Sequence, residues 1–371
     1  MEVLERAKEL EAKGESVIHM ELGEPDFPTP ACIQEAAQRA LQEGKTKYTH
    51  SQGIWELREA ITEHYQTRYG VPIHPEQVLV TAGTSVAMWL LFSALLEHGD
   101  EVIMSDPHYA CYPNFVAFAG GQPIRVPVVA EAGFELDAEA VRAHVGPLTR
   151  AVLVNSPANP TGAVLGRAGL QALATLGPLI VSDEIYHGLT YEGEEHTILE
   201  FTDRAVVLNG FSKAYAMTGW RLGYLILPRP LVRPLQKMHQ NFLISASDFG
   251  QWAAVAALRD AGSDVALMRG IYDERRRAVV QGLRALGLGI PREPRGAFYV
   301  LADARGMDGD SYRLAFDILE RAKVAVTPGI DFGPGGEGYL RFSYANSLEA
   351  LSEGMRRLGV YLAERRGGGG A

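Results

Sequence analysis

Short apolar runs alternate along this chain with longer stretches of helical period. Seven runs, "QVLVTAG", "EVIMSDP", "QPIRVPV", "RAVLVNSP", "LIVSDE", "RAVVLNGF" and "RLGYLIL", are β-rich, and several end in small, polar or ionisable residues, so each predicts a strand. With helical patterns between them, they predict an α/β unit: a mostly parallel sheet flanked by helices. After about Ser263 the pattern changes. A long helical stretch, "GAFYVLADA", a helix, "VAVTPGIDFG", "GYLRFSYA" and a final helix predict a second, smaller α+β unit. The expected division is a large domain over 30–270 and a small one built from 1–29 and 271–371. No internal repeat is visible, and the glycine-rich tail, 367–371, is expected to be disordered.

Composition narrows the class. A chain of 371 residues that is 47% hydrophobic can bury a large core and divide into about two domains. Its formal net charge of −10 argues against nucleic acid or an anionic membrane as a main partner, while leaving room for local basic pockets that hold small anions. Cys32 and Cys111 lie far apart, with no CxxC and no metal-ligand spacing around the ten histidines, so neither a disulfide framework nor a metal is expected. The first residues are charged and helical in period, unlike a signal region, and no uninterrupted apolar run is long enough to cross a membrane. A cytoplasmic enzyme or binding protein is the expectation.

In open sheets of this kind ligands sit outside the carboxyl ends of the strands, which singles out Gly83, Tyr109, Asn159, Asp183 and Lys213. In "NGFSKAYAMTGWRLGY", Lys213 follows a strand and Arg221 comes eight residues later. A lysine so placed can form a Schiff base with an aldehyde cofactor whose phosphate an arginine holds; two surface charges are the plain alternative. Gly83, Thr84 and Ser85 open an apolar helix, where they suit a phosphate cradle or simple capping. Asp183, with Tyr186 three residues on, suits either a carboxylate that keeps a heteroaromatic nitrogen protonated or a helix-capping acid. Asn159 begins a proline-led turn closed by Gly162, and a functional role would point its amide into the cleft. Arg341 stands in the apolar strand "YLRFSYANS", where an unpaired charge is costly. Its partner should be a structural carboxylate or a substrate carboxylate gripped bidentately.

Eight segments, "HMELGEPDFPTP", "KYTHSQGIWELREAI", "TAGTS", "DPHYACYP", "NSPANPTG", "SDEIYHGLTYEG", "GFSKAYAMTGWRLGY" and "RFSYANS", occur in order and span nearly the whole chain. Together they resemble the pyridoxal-phosphate-dependent aminotransferases of fold type I, class I/II. The resemblance implies a large domain with a mostly parallel seven-stranded sheet, a smaller α+β domain, and pyridoxal 5′-phosphate as cofactor. It implies that Lys213 is the Schiff-base lysine and proton carrier, that Asp183 pairs with the ring nitrogen, and that Tyr186 and Asn159 hydrogen-bond the ring's phenolate oxygen. Tyr109 would stack on the ring, Gly83, Thr84 and Ser85 would hold the phosphate, and Arg221 would pair with it. Arg341, assisted by the backbone amide of Gly23, would grip the substrate α-carboxylate. Tyr48 would reach the phosphate of a neighbouring subunit, which implies a homodimer with shared sites.

The implied reaction moves an α-amino group between an L-amino acid and a 2-oxo acid with ping-pong kinetics; a C–S β-lyase of the same fold is the alternative. A regulatory relative would carry a DNA-binding module, and this chain has neither the extra length nor a basic segment for one. Three departures from the family pattern stand out. Gly210 occupies the position where many relatives have a phosphate-binding serine, so Ser212 or Ser85 is expected to take that contact. Relatives commonly begin about a helix earlier, so either a covering arm is absent or the start recorded here is late. No second arginine motif marks a site for a distal carboxylate, which leaves the donor open.

Overall fold

A computed structural model describes residues 2–367 of the chain. Of the tail expected to be disordered, Gly367 closes the last helix and 368–371 lie outside the described residues. The chain opens with α1 (Glu2–Ala12), β1 (Ile18–His19), α2 (Ala31–Gln42) and α3 (Trp55–Tyr69). The alternating region follows: β2 (Val78–Thr81), α4 (Thr84–Leu95), β3 (Glu101–Asp106), α5 (Tyr112–Phe118), β4 (Gln122–Pro127), α6 (Ala138–Arg142), β5 (Thr149–Asn155), α7 (Arg167–Ala174), β6 (Leu179–Asp183), β7 (Ala205–Gly210) and β8 (Gly223–Ile226). Then come α8 (Arg229–Phe242), α9 (Asp248–Asp260), α10 (Gly262–Ala285), β9 (Tyr299–Asp303), α11 (Ser311–Ala322), β10 (Val324–Ala325), β11 (Thr327–Pro328), β12 (Tyr339–Ser343) and α12 (Leu348–Gly367).

The seven apolar runs all become strands of one sheet, ordered β2-β8-β7-β6-β5-β3-β4 among the described residues. Strand β8 runs antiparallel to both neighbours and the other pairings are parallel. Because successive side chains on a strand point to opposite faces, Val152 and Val154 join one hydrophobic core while Ala151 and Leu153 join the other. The sheet is therefore covered on both sides, as its near-continuous apolar runs require. Its order reverses at β3, whose neighbours β4 and β5 lie on opposite sides of it, and a crevice opens at such a reversal.

A separate core gathers around the antiparallel sheet β11-β12-β9, with Val300, Phe342, Leu314 and Tyr272 buried in it. The run "VAVTPGIDFG" is split rather than forming one strand. Val324 and Ala325 pair in parallel with β1, whereas Thr327 and Pro328 pair with β12, so the chain changes sheets at Val326. Pairing β1 with β10 ties the N-terminal segment to the C-terminal one. Among the described residues no helix is long and apolar enough to cross a membrane.

Candidate active site

A cavity of about 850 Å³ opens where β3, β5, β6 and β7 end and the second core faces the large sheet. Gly23, Thr84, Ser85, Tyr109, Asn159, Asp183, Tyr186, Ser212, Lys213, Arg221 and Arg341 all line it. Gly83 lies just behind: its φ of +92° favours glycine, and a Cβ there would stand 2.6 Å from Arg221 Nη2 and displace that guanidinium. Tyr48 is not brought to the cavity of its own chain and is 81% exposed.

Lys213 is partly buried, and its Nζ donates to the carbonyl oxygen of Gly23 at 2.5 Å. Burial lowers its pKa from 10.5 to about 8; Glu24 opposes the shift, while Arg341 and Arg221 reinforce it. Gly23 cannot carry a side chain, because a Cβ would meet the Tyr299 hydroxyl at 2.5 Å. Asp183, at the end of β6, is 4% exposed and accepts from the Tyr112 hydroxyl at 2.6 Å and the Ile185 amide at 3.1 Å. Burial raises its pKa to about 6, and those two hydrogen bonds pull the other way. Neither donor is charged. Among the described residues the buried carboxylate makes no ion pair, and Lys213 is the cationic side chain that shares its cavity.

Tyr186 shares a hydrogen bond of 2.8 Å with Tyr299, and burial holds its phenol far above the usual range, so it stays protonated. Arg341 projects from β12 between two rings, 4.4 Å from the centroid of Tyr299 and 4.8 Å from that of Phe332. Its Nη1 donates to Asn159 Oδ1 at 2.9 Å, and its Nη2 donates to the Glu21 carbonyl at 2.5 Å and to Thr327 Oγ1 at 3.1 Å. Every one of these acceptors is neutral, and Nε is buried without a partner. Among the described residues Arg341 makes no ion pair, so a structural carboxylate is not what it holds.

At the other end of the cavity Arg221 has a left-handed backbone (φ 54°) and donates to the Thr218 carbonyl at 3.0 Å. It too makes no ion pair among the described residues. The guanidinium sits by the start of α4, whose N-cap is Gly83 and which has no side-chain cap, so first-turn amides are left for another acceptor. Uncapped amides beside an arginine without an ion pair suit a phosphate, and a desolvated amine with a buried carboxylate that makes no ion pair among the described residues suits an aldehyde on a protonated heteroaromatic ring. On those observations the residues fit pyridoxal phosphate. Ser85 and Ser212 both line the cavity near that end. A serine at 210 is excluded by packing, because a Cβ on Gly210 would lie 2.9 Å from the Leu222 carbonyl oxygen and 3.0 Å from Gly223 Cα.

Several lining residues were not singled out from sequence. Tyr112 and Asn155 stand inside quoted segments, but one holds Asp183 and the other donates to the Asp183 carbonyl at 3.0 Å, relations between strands that a linear reading does not reveal. Tyr299, Thr327 and Phe332 come from the C-terminal segment that carries β9 and β11, and their only sequence signal was their place in strand-like runs.

The family model for aminotransferase class I and II matches residues 15–358. The chain is 42% identical over 360 residues to the aspartate/prephenate aminotransferase of Thermus thermophilus, covering 95% of this chain and 92% of that one. It is 39% identical over 366 residues to the (5-formylfuran-3-yl)methyl phosphate transaminase of Methanocaldococcus jannaschii, covering 98% and 96%. A solved Thermus thermophilus aspartate aminotransferase with maleate superposes with a TM-score of 0.93 at 42% identity, over 96% of this chain and 95% of that one. These relatives are transaminases, and the β-lyase alternative is not favoured. The chain belongs to the class I and II aminotransferases, pyridoxal-phosphate-dependent enzymes of fold type I.

Proposed function

We propose that this aminotransferase exchanges an α-amino group between an L-amino acid and a 2-oxo acid through the cavity residues just described. The observation that carries the reading is Lys213: an amine made less basic by burial, near two arginines that have no carboxylate partner. Arg221, Thr84, Ser85 and Ser212, backed by Gly83, would hold the cofactor phosphate, and Asp183 would hold the ring nitrogen in its protonated form. Tyr109 would cover one ring face, and Tyr186 and Asn159 would bond the ring oxygen. When bound, pyridoxal phosphate supplies an aldehyde for the amine and a cationic ring that withdraws electrons from the substrate α-carbon.

Arg341 binds and orients the α-carboxylate in this reading, with the amide of Gly23 assisting. Lys213 Nζ takes the α-proton and holds it for return, which a pKa near 8 allows at neutral to mildly alkaline pH. Tyr299 and Phe332 flank Arg341 and keep water from it. We further propose a cytoplasmic homodimer in which Tyr48 reaches the phosphate of the second site. Residues 1–29 and 271–371 would act as a small domain over the cleft; residue 270 falls within α10, which would link the two.

The test is the visible spectrum of the purified protein reconstituted with pyridoxal phosphate, followed as single amino acids are added. Bleaching of the long-wavelength band with release of the matching 2-oxo acid and no ammonia is the expected result. Pyruvate and ammonia from a β-substituted donor would indicate elimination instead, and no band at all would overturn the role of Lys213.

A further inference from the structure

A buried chain of hydrogen bonds that the proposed reaction does not use links the two strands carrying its central groups. Asp183 closes β6, and Lys213 follows β7. The pairing of these strands ends with Asp183 opposite Leu208. Immediately beyond that pair, Glu184 and Asn209 are joined through a third side chain, Tyr65 of α3. The Tyr65 hydroxyl donates to Glu184 Oε2 at 3.2 Å and accepts from Asn209 Nδ2 at 3.2 Å. Asn209 Oδ1 accepts from the Gly210 amide at 2.7 Å, which fixes the orientation of its side-chain amide. Burial holds the Tyr65 phenol far above its ordinary range, so it keeps the proton it donates.

All three residues are enclosed by a single chain: Glu184 is 1% exposed, Tyr65 0% and Asn209 8%. The other oxygen of Glu184 is held by the Ser182 hydroxyl at 3.0 Å, the Thr197 hydroxyl at 2.9 Å and the Ile198 amide at 3.1 Å. His187 Nδ1 lies 3.5 Å from Oε2, and among the described residues neither a lysine nor an arginine pairs with this acid. Burying a carboxylate in this way is costly, and an apolar side chain would join α3 to the sheet at least as well. What an apolar contact does not supply is a fixed distance. Hydrogen bonds are directional and short, so a satisfied polar chain specifies one arrangement of the parts it joins.

We infer that Glu184, Tyr65 and Asn209 are positioning residues that set the separation of Asp183 from Lys213, and with it the register of the cofactor against the lysine. The inference rests on the proposed roles of those two groups.

Tyr65→Phe tests it, because it removes the central hydroxyl and keeps the ring. Crystal structures of the full-length parent and variant should differ by about 0.5 Å or more in the distance between the Asp183 and Lys213 Cα atoms, the tolerance within which a site must be held. On the reconstituted enzyme, kcat for 2-oxo acid release should fall roughly ten- to a hundredfold, while KM for the donor, gripped at Arg341, changes by less than about twofold. An unchanged separation would overturn the inference, and so would a raised KM at unchanged kcat. Glu184→Gln, of the same size with one acceptor turned into a donor, should reproduce the loss of kcat at retained KM. A fully active Glu184→Gln would overturn the inference even where Tyr65→Phe does not fold.

Tyr69→Phe is the comparison. One turn further along α3, it loses a hydroxyl that bonds His187 at 2.7 Å and Glu195 at 2.9 Å. It should keep the parent's separation and kcat; a loss equal to that of Tyr65→Phe would reduce the chain to general support of the helix and overturn the inference. A parent that forms no visible band and turns over no donor contradicts the aminotransferase reading instead, and the crystallographic comparison still judges the hydrogen-bond chain.

Discussion

In the proposed reading Lys213 gains its reactivity from its surroundings. Its neutral amine is the reactive form, and a pKa near 8 in place of 10.5 makes that form abundant two units earlier on the pH scale. Condensation of the cofactor-free protein with pyridoxal phosphate should therefore speed up as pH rises and level off above about pH 8; a rate still climbing at pH 10 would mean an ordinary, solvated lysine. Lys213→Ala should lower transamination by at least about a hundredfold, the contribution typical of a positioned acid–base group, as read by 2-oxo acid release.

Asp183 shows the opposite shift. Its unfolded carboxylate ionises near 3.8, whereas the folded one keeps its proton to about 6. The group thus costs stability that grows between about pH 4 and 6 and persists above that range. Without cofactor at pH 8, Asp183→Asn should be as stable as the parent or more so, by about 1–3 kcal/mol in chemical denaturation. Its turnover should nonetheless fall at least about tenfold, since the ring nitrogen loses its counter-charge. A variant that is both less stable and fully active would contradict the placement.

At the scale of elements, the glycine pair at the ends of β7 and β8 supports the cofactor end of the cavity. Gly210 faces Gly223 in register, and a Cβ on Gly223 would lie 2.8 Å from the Thr84 amide nitrogen and 2.9 Å from the Gly83 carbonyl carbon. Gly223→Ala should push the first turn of α4 away from Arg221. The expected outcome is roughly a tenfold weaker affinity for pyridoxal phosphate in equilibrium titration, with about 1–3 kcal/mol lost in stability from overpacking. An unaffected affinity would show that the cradle does not depend on this contact.

This pair also shows where sequence reading stops. The seven sheet strands were visible as short β-rich runs, six of them mostly buried and the edge strand β4 largely exposed, and residues after several of them fell at the cavity because strand ends converge there. The strand order and the antiparallel direction of β8 depend on pairings between distant segments. So does the reason for glycine at 210, which lies in the Leu222 and Gly223 backbone and not in its own neighbourhood. For Arg341 the expected partner was a structural or a substrate carboxylate; that no carboxylate pairs with it among the described residues is a fact of three dimensions.

For the molecule as a whole, the exposed Tyr48 is the residue that a single chain leaves unused. Phe242, 63% exposed, and Trp55, 45% exposed, also stand at the surface, but each packs against a neighbour, Trp89 and Arg58 respectively. Under the homodimer proposal, sedimentation should give about twice the 40.4 kDa chain mass. Tyr48→Phe should leave the circular dichroism spectrum unchanged and weaken cofactor binding several-fold, the effect of one lost phosphate hydrogen bond. An unweakened affinity would exclude the hydroxyl from the second site.

The bond from Arg341 Nη1 to Asn159 joins the β9-β12 sheet to the turn after β5, so it stitches one core to the other across the cavity. The guanidinium is thereby a mechanical fastener as well as the anion clamp of the proposed reading. A ligand that pulls it from Asn159 slackens the seam, and one that engages both residues draws the two halves together. If the two cores act as the proposed domains, substitutions at Asn159 should change how they are held together, and their kinetic signature should belong partly to that link and not wholly to contact with substrate.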